Sequence, residues 1–144
     1  MNAAPAKPAT WFWIVSGLAL LWNLLGVAAY LMQVTMTPAA IAALPAAEQA
    51  LYVTIPAWAT AAFAVAVFAG TIGCVALLLR RRVSQLIFVF SLVGIVAHVS
   101  YNVLMSDATS VYGPTAMVLP ITVLAVGIFL MRFARSVNAR HWFH

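Results

Sequence analysis

The apolar stretches of this chain hold one side chain that titrates near neutral pH, His98. An ionisable residue inside a membrane-spanning segment marks a functional hypothesis. As a functional group, His98 would be a proton-linked switch or a hydrogen-bonding partner for a substrate. As a packing residue, it would be a neutral imidazole bonded to Asn23, Tyr30 or a backbone carbonyl. Asn102 follows His98 by four residues, one helical turn away on the same face, and Tyr101 follows it by three. With Asn23 and Tyr30 from an earlier stretch, these form a candidate polar cluster of Asn23, Tyr30, His98, Tyr101 and Asn102. A single intramembrane histidine is a poor haem site. No acidic residue lies within an apolar stretch, which counts against a cation-driven antiporter. The single cysteine, Cys74, can form neither an intramolecular disulfide nor a multi-cysteine metal site. No glycine-rich phosphate loop, zinc-ligand spacing or Ser/His/Asp set occurs, so no catalytic residue, metal or cofactor is expected and enzyme activity is not.

Four stretches must position these groups. The chain has 144 residues, 66% hydrophobic and 6% charged, where soluble domains run at about 45–50% and 25%. A soluble fold would have too few polar groups to cover its surface. Spans of about 20 residues are expected at about 11–34, 56–79, 84–105 and 114–133. Residues 1–10 read as a disordered N-terminus and 134–144 as a basic cytoplasmic tail. The fold class is therefore an all-α membrane protein, one domain over 1–144, built as an antiparallel bundle of four transmembrane helices. Residues 35–55 make the longest connection. Thr37 before Pro38 is a helix-start signal, and Pro45 starts a further turn through Glu48 and Tyr52, so short helices are expected in this first outer loop.

Orientation follows from the basic residues. Lys7, Arg80, Arg81, Arg82, Arg132, Arg135 and Arg140 all fall on one side of a four-span chain, as topology determinants and lipid headgroup contacts. The two loops on the other side carry Glu48 and Asp107 and no Lys or Arg. These two acids would either meet at the bundle mouth or stay solvated. The positive-inside rule then puts both termini in the cytoplasm. The net charge of +5 belongs to these flanks and not to a nucleic-acid surface. His141 and His144, in the same tail, suit headgroups better than a metal.

Lipid supplies no hydrophobic force between helices, so small residues and interhelical hydrogen bonds must hold the bundle. Ser16, Ala19, Asn23, Gly26, Tyr30 and Gln33 share one face of the first span. Ala62, Ala66, Gly70 and Cys74 form a small-residue packing stripe on the second, widened by Ala69 and Gly73. Ser91, Gly94 and His98 make a polar stripe on the third. Pro120 removes a backbone donor inside the fourth, which makes it a candidate kink and hinge. At a rise of about 1.5 Å per residue, Asn23 lies about 18 Å in from Trp11 and His98 about 21 Å in from Ser84. These depths leave room for a polar cluster that opens outward.

The stretches WFWIVSGLALLWNLLGVAAYLMQVTMTP, IPAWATAAFAVAVFAGTIGCVALLLRRR and VYGPTAMVLPITVLAVGIFLMRFAR resemble an uncharacterised family of small four-span bacterial inner-membrane proteins. The resemblance covers nearly the whole chain, and its most distinctive points are LLWNLLG, PAW and YGP. It implies an inner-membrane, multi-pass protein and, through the label "sugar transporter" often attached to that family, transport. It transfers no site residues. Two functions are expected from the sequence. The first is a non-enzymatic protein acting by association through the stripe, as an accessory subunit of a membrane-protein partner or a homo-oligomer. The second is a small solute transporter, with sugar as a candidate solute, whose polar path includes Asn23 and His98.

Overall fold

A chain in hydrocarbon must satisfy every backbone N–H and C=O from within, and a helix does so locally. The four apolar stretches accordingly fold as helices. A computed structural model describes residues 6–143. The order is α1 (Thr10–Val34), α2 (Pro38–Ala42), α3 (Ala46–Val53), α4 (Ala57–Leu78), α5 (Ser84–Ser100), a π-helical turn (Tyr101–Met105), α6 (Ala108–Tyr112), a 3-10 turn (Pro114–Met117) and α7 (Val118–Asn138). No strand occurs among the described residues. Four segments, Thr10–Val34, Ala57–Leu78, Ser84–Met105 and Pro114–Asn138, are long and apolar enough to cross a bilayer. Large apolar side chains such as Leu18, Leu21, Met32, Ile72, Phe90 and Phe129 stand exposed along them. Exposed apolar surface on this scale belongs against lipid, and the chain is a multi-pass membrane protein. Of residues 1–10, the first five lie outside the described residues, as does His144; residues 6–9 precede the first helix.

Local chemistry sets the ends of the elements. Thr37 caps α2, its hydroxyl accepting from the Ala40 N–H at 3.1 Å with Pro38 in the first turn. The end of α4 is closed by two reversed bonds, Arg81 N–H to the Ala76 carbonyl (2.8 Å) and Arg80 N–H to the Leu77 carbonyl (2.9 Å). Arg80 takes the left-handed conformation that this closure needs, at φ 56°. Gly113 has φ 76° and ψ −169° between α6 and the 3-10 turn, a backbone open only to glycine. Hydroxyls along the spans bond back onto their own helix: Thr71 to the Val67 carbonyl, Ser100 to that of Val96 and Thr122 to that of Val118.

The spans pack in the order α1, α4, α5, α7, with α4 against α5 the most extensive pairing. That pairing rests on glycine. A Cβ at Gly94 would stand 2.7 Å from the Ala66 nitrogen and 2.9 Å from the Ala62 oxygen, so α5 lies directly on the α4 backbone. The small-residue stripe of α4 is thus used inside the chain. Ala66, Gly70 and Cys74 are buried, and Ser91 Oγ–H donates to the Ala66 carbonyl at 2.7 Å.

Two sequence readings look different in three dimensions. Pro120 lies in the first turn of α7, where its N–H would have no intrahelical partner, so it requires no kink there. α7 also continues past Phe133 to Asn138, and the chain after it folds back. Trp142 and Phe143 are buried against Phe12, Phe133 and Leu77. Phe12, itself fully buried, lies within 6.2 Å of the Phe133, Trp142 and Phe143 rings, measured between centroids. The Arg140 guanidinium sits over Trp11 and Trp142, 5.6 and 5.4 Å from the ring centres. These aromatics join α1 to α7 at the end of the bundle that carries the termini.

Candidate functional site

Away from that aromatic clasp, α1 and α7 part. Between the four spans lies a cavity of about 280 Å³, lined on α1 by Trp22, Asn23, Leu25, Gly26 and Ala29 and on α7 by Leu119, Pro120, Val123, Val126, Gly127 and Leu130. Its inner end is closed by Phe88 and Leu130, which belong to the same buried cluster as Phe12 and Phe133. Leu25 and Leu119, both in the lining, are 61% and 64% exposed. The cavity therefore opens sideways, between α1 and α7, in the half of the membrane away from the termini.

Its polar side chains are Asn23, Ser91, His98 and Asn102. His98 is held on both ring nitrogens. Nδ1 lies 3.4 Å from the Ala59 carbonyl, which can only accept, so Nδ1 carries the proton. Nε2 then accepts from Asn102 Nδ2 at 3.1 Å. The second hydrogen of that amide goes to the His98 carbonyl at 2.9 Å, which fixes the amide's orientation. The neutral imidazole satisfies the whole arrangement, and Phe63 stacks on it with ring centres 4.5 Å apart. Asn102 itself stands in the π-helical turn that ends this span, which is closed by Ser106 N–H on the Tyr101 carbonyl.

Asn23 is a three-helix junction. Its Nδ2 donates to the Ala19 carbonyl (2.9 Å) and toward Cys74 Sγ (3.5 Å). Its carbonyl oxygen lies where a Cβ on Gly70 would go, with Ser91 Oγ only 3.2 Å from the same point. Asn23 and His98 line one cavity without bonding to each other.

Of the polar cluster expected from sequence, Asn23, His98 and Asn102 meet at the cavity. Tyr30 does not: it packs edge-on against Phe63 and Phe68. Nor does Tyr101, whose ring meets Trp58 and whose hydroxyl lies 3.4 Å from the Thr54 carbonyl, tying the π turn to the long loop. Ser91 belongs to the site and was legible as a member of the His98 stripe. Trp22, Phe63 and the Ala59 carbonyl carried no such signal. Ser16, on the polar face of α1, is buried with no partner among the described residues. At the loop end, Glu48 lies beside Tyr112, which is half exposed; partial desolvation first, and then this carboxylate, push the phenol above its ordinary range. No group of three or more His, Cys, Asp or Glu suited to a metal ion occurs among the described residues.

Comparison of the chain with protein-family models, curated proteins and solved structures finds no match.

Proposed function

We propose that this chain is a non-enzymatic membrane protein that binds a small, neutral, largely apolar molecule inside its bundle, as the binding step of a carrier. The observation that carries the reading is the cavity between α1 and α7, with Asn23, His98 and Asn102 in its wall. No Asp, Glu, Lys or Arg lines it, so a charged solute would enter without a counter-charge, at high cost in this medium. A sugar has a hydroxyl on nearly every carbon, and this wall is mostly Leu, Val, Ile, Phe and Trp. Most of a sugar's hydroxyls would lose water and find no partner. The volume of about 280 Å³ compares with about 150 Å³ for an apolar cavity that binds benzene. Association through the stripe Ala62, Ala66, Gly70 and Cys74 has less support, because α1 and α5 already cover that stripe.

Photolabelling with a diazirine-bearing benzyl alcohol in bicelles tests the reading. Label is expected at Leu25, Leu119 and Val123, competed away by unlabelled benzyl alcohol. Val123→Phe, which fills the cavity, removes it. Ala29→Phe does the same from a lining position that is exposed, in case the first variant folds poorly. Label spread over outward faces such as Leu18 and Phe90, unchanged by competitor, would refute it.

The proposal includes the siting. The basic side faces the cytoplasm of a bacterial inner membrane, as the charge partition and the family resemblance imply. The cavity then opens toward the outer leaflet. In a Cys74→Ala background, an impermeant thiol reagent added to intact cells is expected to modify Glu48→Cys at once and Arg81→Cys only after permeabilisation. The reverse order would invert the topology.

A further inference from the structure

We infer that the molecule taken up carries a hydroxyl on an apolar body, as a long-chain or isoprenoid alcohol does, and that it enters from the bilayer through the seam between α1 and α7. The inference rests on the binding role proposed above and follows from a count of donors and acceptors around the cavity.

The donors in the wall are largely committed. Both amide hydrogens of Asn102 go to His98, both of Asn23 go to the Ala19 carbonyl and Cys74 Sγ, the Ser91 hydroxyl goes to Ala66, and the proton of His98 goes to Ala59. The acceptors are not. The Oδ1 atoms of Asn23 and Asn102 accept no hydrogen bond among the described residues. One donor is left in the lining, the indole N–H of Trp22. A hydroxyl gives one hydrogen bond and takes others, so it meets one of the two open acceptors and the open donor together. A carboxylate or phosphate only accepts, and would face carbonyl oxygens with no cation in the lining. An ether or ester only accepts and leaves both asparagine oxygens unmet. A hydrocarbon leaves all three groups unmet.

The route follows from the rim. The exposed lining residues, Leu25, Ala29 and Leu119, are apolar and stand on the two helices that separate. A molecule dissolved in the hydrocarbon of the bilayer reaches the cavity between them without crossing a polar barrier. The inner end is shut by Phe88, Leu130 and the aromatic clasp, so this opening serves one leaflet.

Competition against the photolabel tests this with matched ligands. Decanol is expected to displace label from Val123 at about five- to tenfold lower concentration than decyl methyl ether, the difference one hydrogen bond makes. Decanoate at neutral pH is expected to compete poorly. Equal potency of alcohol and ether would overturn the hydroxyl assignment and leave the cavity reading standing. Stronger competition by decanoate would overturn the neutrality. Absence of any saturable label would remove the binding role itself. Asn102→Leu is expected to bring alcohol and ether closer together. Because that change also strips Nε2 of His98, the comparison of ligands on the unaltered chain decides the matter.

Discussion

Gly94→Ala is expected to cost about 2–3 kcal/mol, near the top of the range for inserting one methyl group into a packed interior. The reason is what the new methyl group meets. Its nearest neighbours would be the backbone nitrogen of Ala66 at 2.7 Å and the backbone oxygen of Ala62 at 2.9 Å, with Val65 Cβ at 3.1 Å. Backbone in a helix cannot rotate aside, so α4 and α5 must separate along their most extensive contact. The Ser91 bond to Ala66 lies within one turn and would lengthen with it. Unfolding in mixed micelles of increasing denaturing detergent measures the loss. Gly17→Ala is the internal control: nothing stands within 4 Å of its Cβ position, so the helix preference of alanine should raise stability by up to about 1 kcal/mol. A Gly94→Ala protein as stable as the parent would mean that α4 and α5 do not cross where described.

Gly70→Ala is expected to cost about 2 kcal/mol, by a different route. Here the new methyl group collides with the Asn23 carboxamide, a side chain that can move. Moving it breaks the bonds to the Ala19 carbonyl and Cys74. Asn23→Ala alone removes the bond to Cys74, which crosses to α4, and the bond to Ala19 within α1, and is expected to cost about 1 kcal/mol. In the double variant the methyl group enters the space the carboxamide has left. Its cost should stay near 1 kcal/mol, where independent sites would add to about 3. Additivity would contradict the placement of Asn23 over Gly70. Asn23 lines the cavity, so the double variant should also change ligand competition.

These two glycines show how much of the fold was legible beforehand. The Ala62, Ala66, Gly70 and Cys74 repeat says that something approaches α4 closely, and the Ser16, Ala19, Asn23, Gly26 repeat says the same of α1. Each repeat marks a face, and the structure pairs these faces through Asn23 and Ser91. The periodicity of one helix does not say which neighbour it meets, and so the stripe looked equally suited to a second protein. The polar pair His98 and Asn102 was legible from four-residue spacing. Their partner Ala59 was not, because it contributes a backbone carbonyl and no side-chain signal. The parting of α1 and α7 was invisible for a physical reason. In a membrane, lipid-facing and cavity-lining positions are both apolar, so Leu25 and Leu119 read like any other leucine. The burial of Trp142 and Phe143 was masked by the arginines before them, which read as a basic membrane flank whether or not the aromatics that follow fold back.

A laterally open cavity with unmet acceptors is the centre of the account, and the photolabel at Val123 tests it most directly. Labelling of this residue in the unaltered chain should saturate with probe concentration, and labelling of Leu25 and Leu119 should fall by about tenfold or more in Val123→Phe and Ala29→Phe, a loss of at least about 1.4 kcal/mol of binding. Labelling that rises linearly with probe, and is the same in all three proteins, would contradict it. The interior between α1 and α7 would then be closed, and the bundle would have no site of its own.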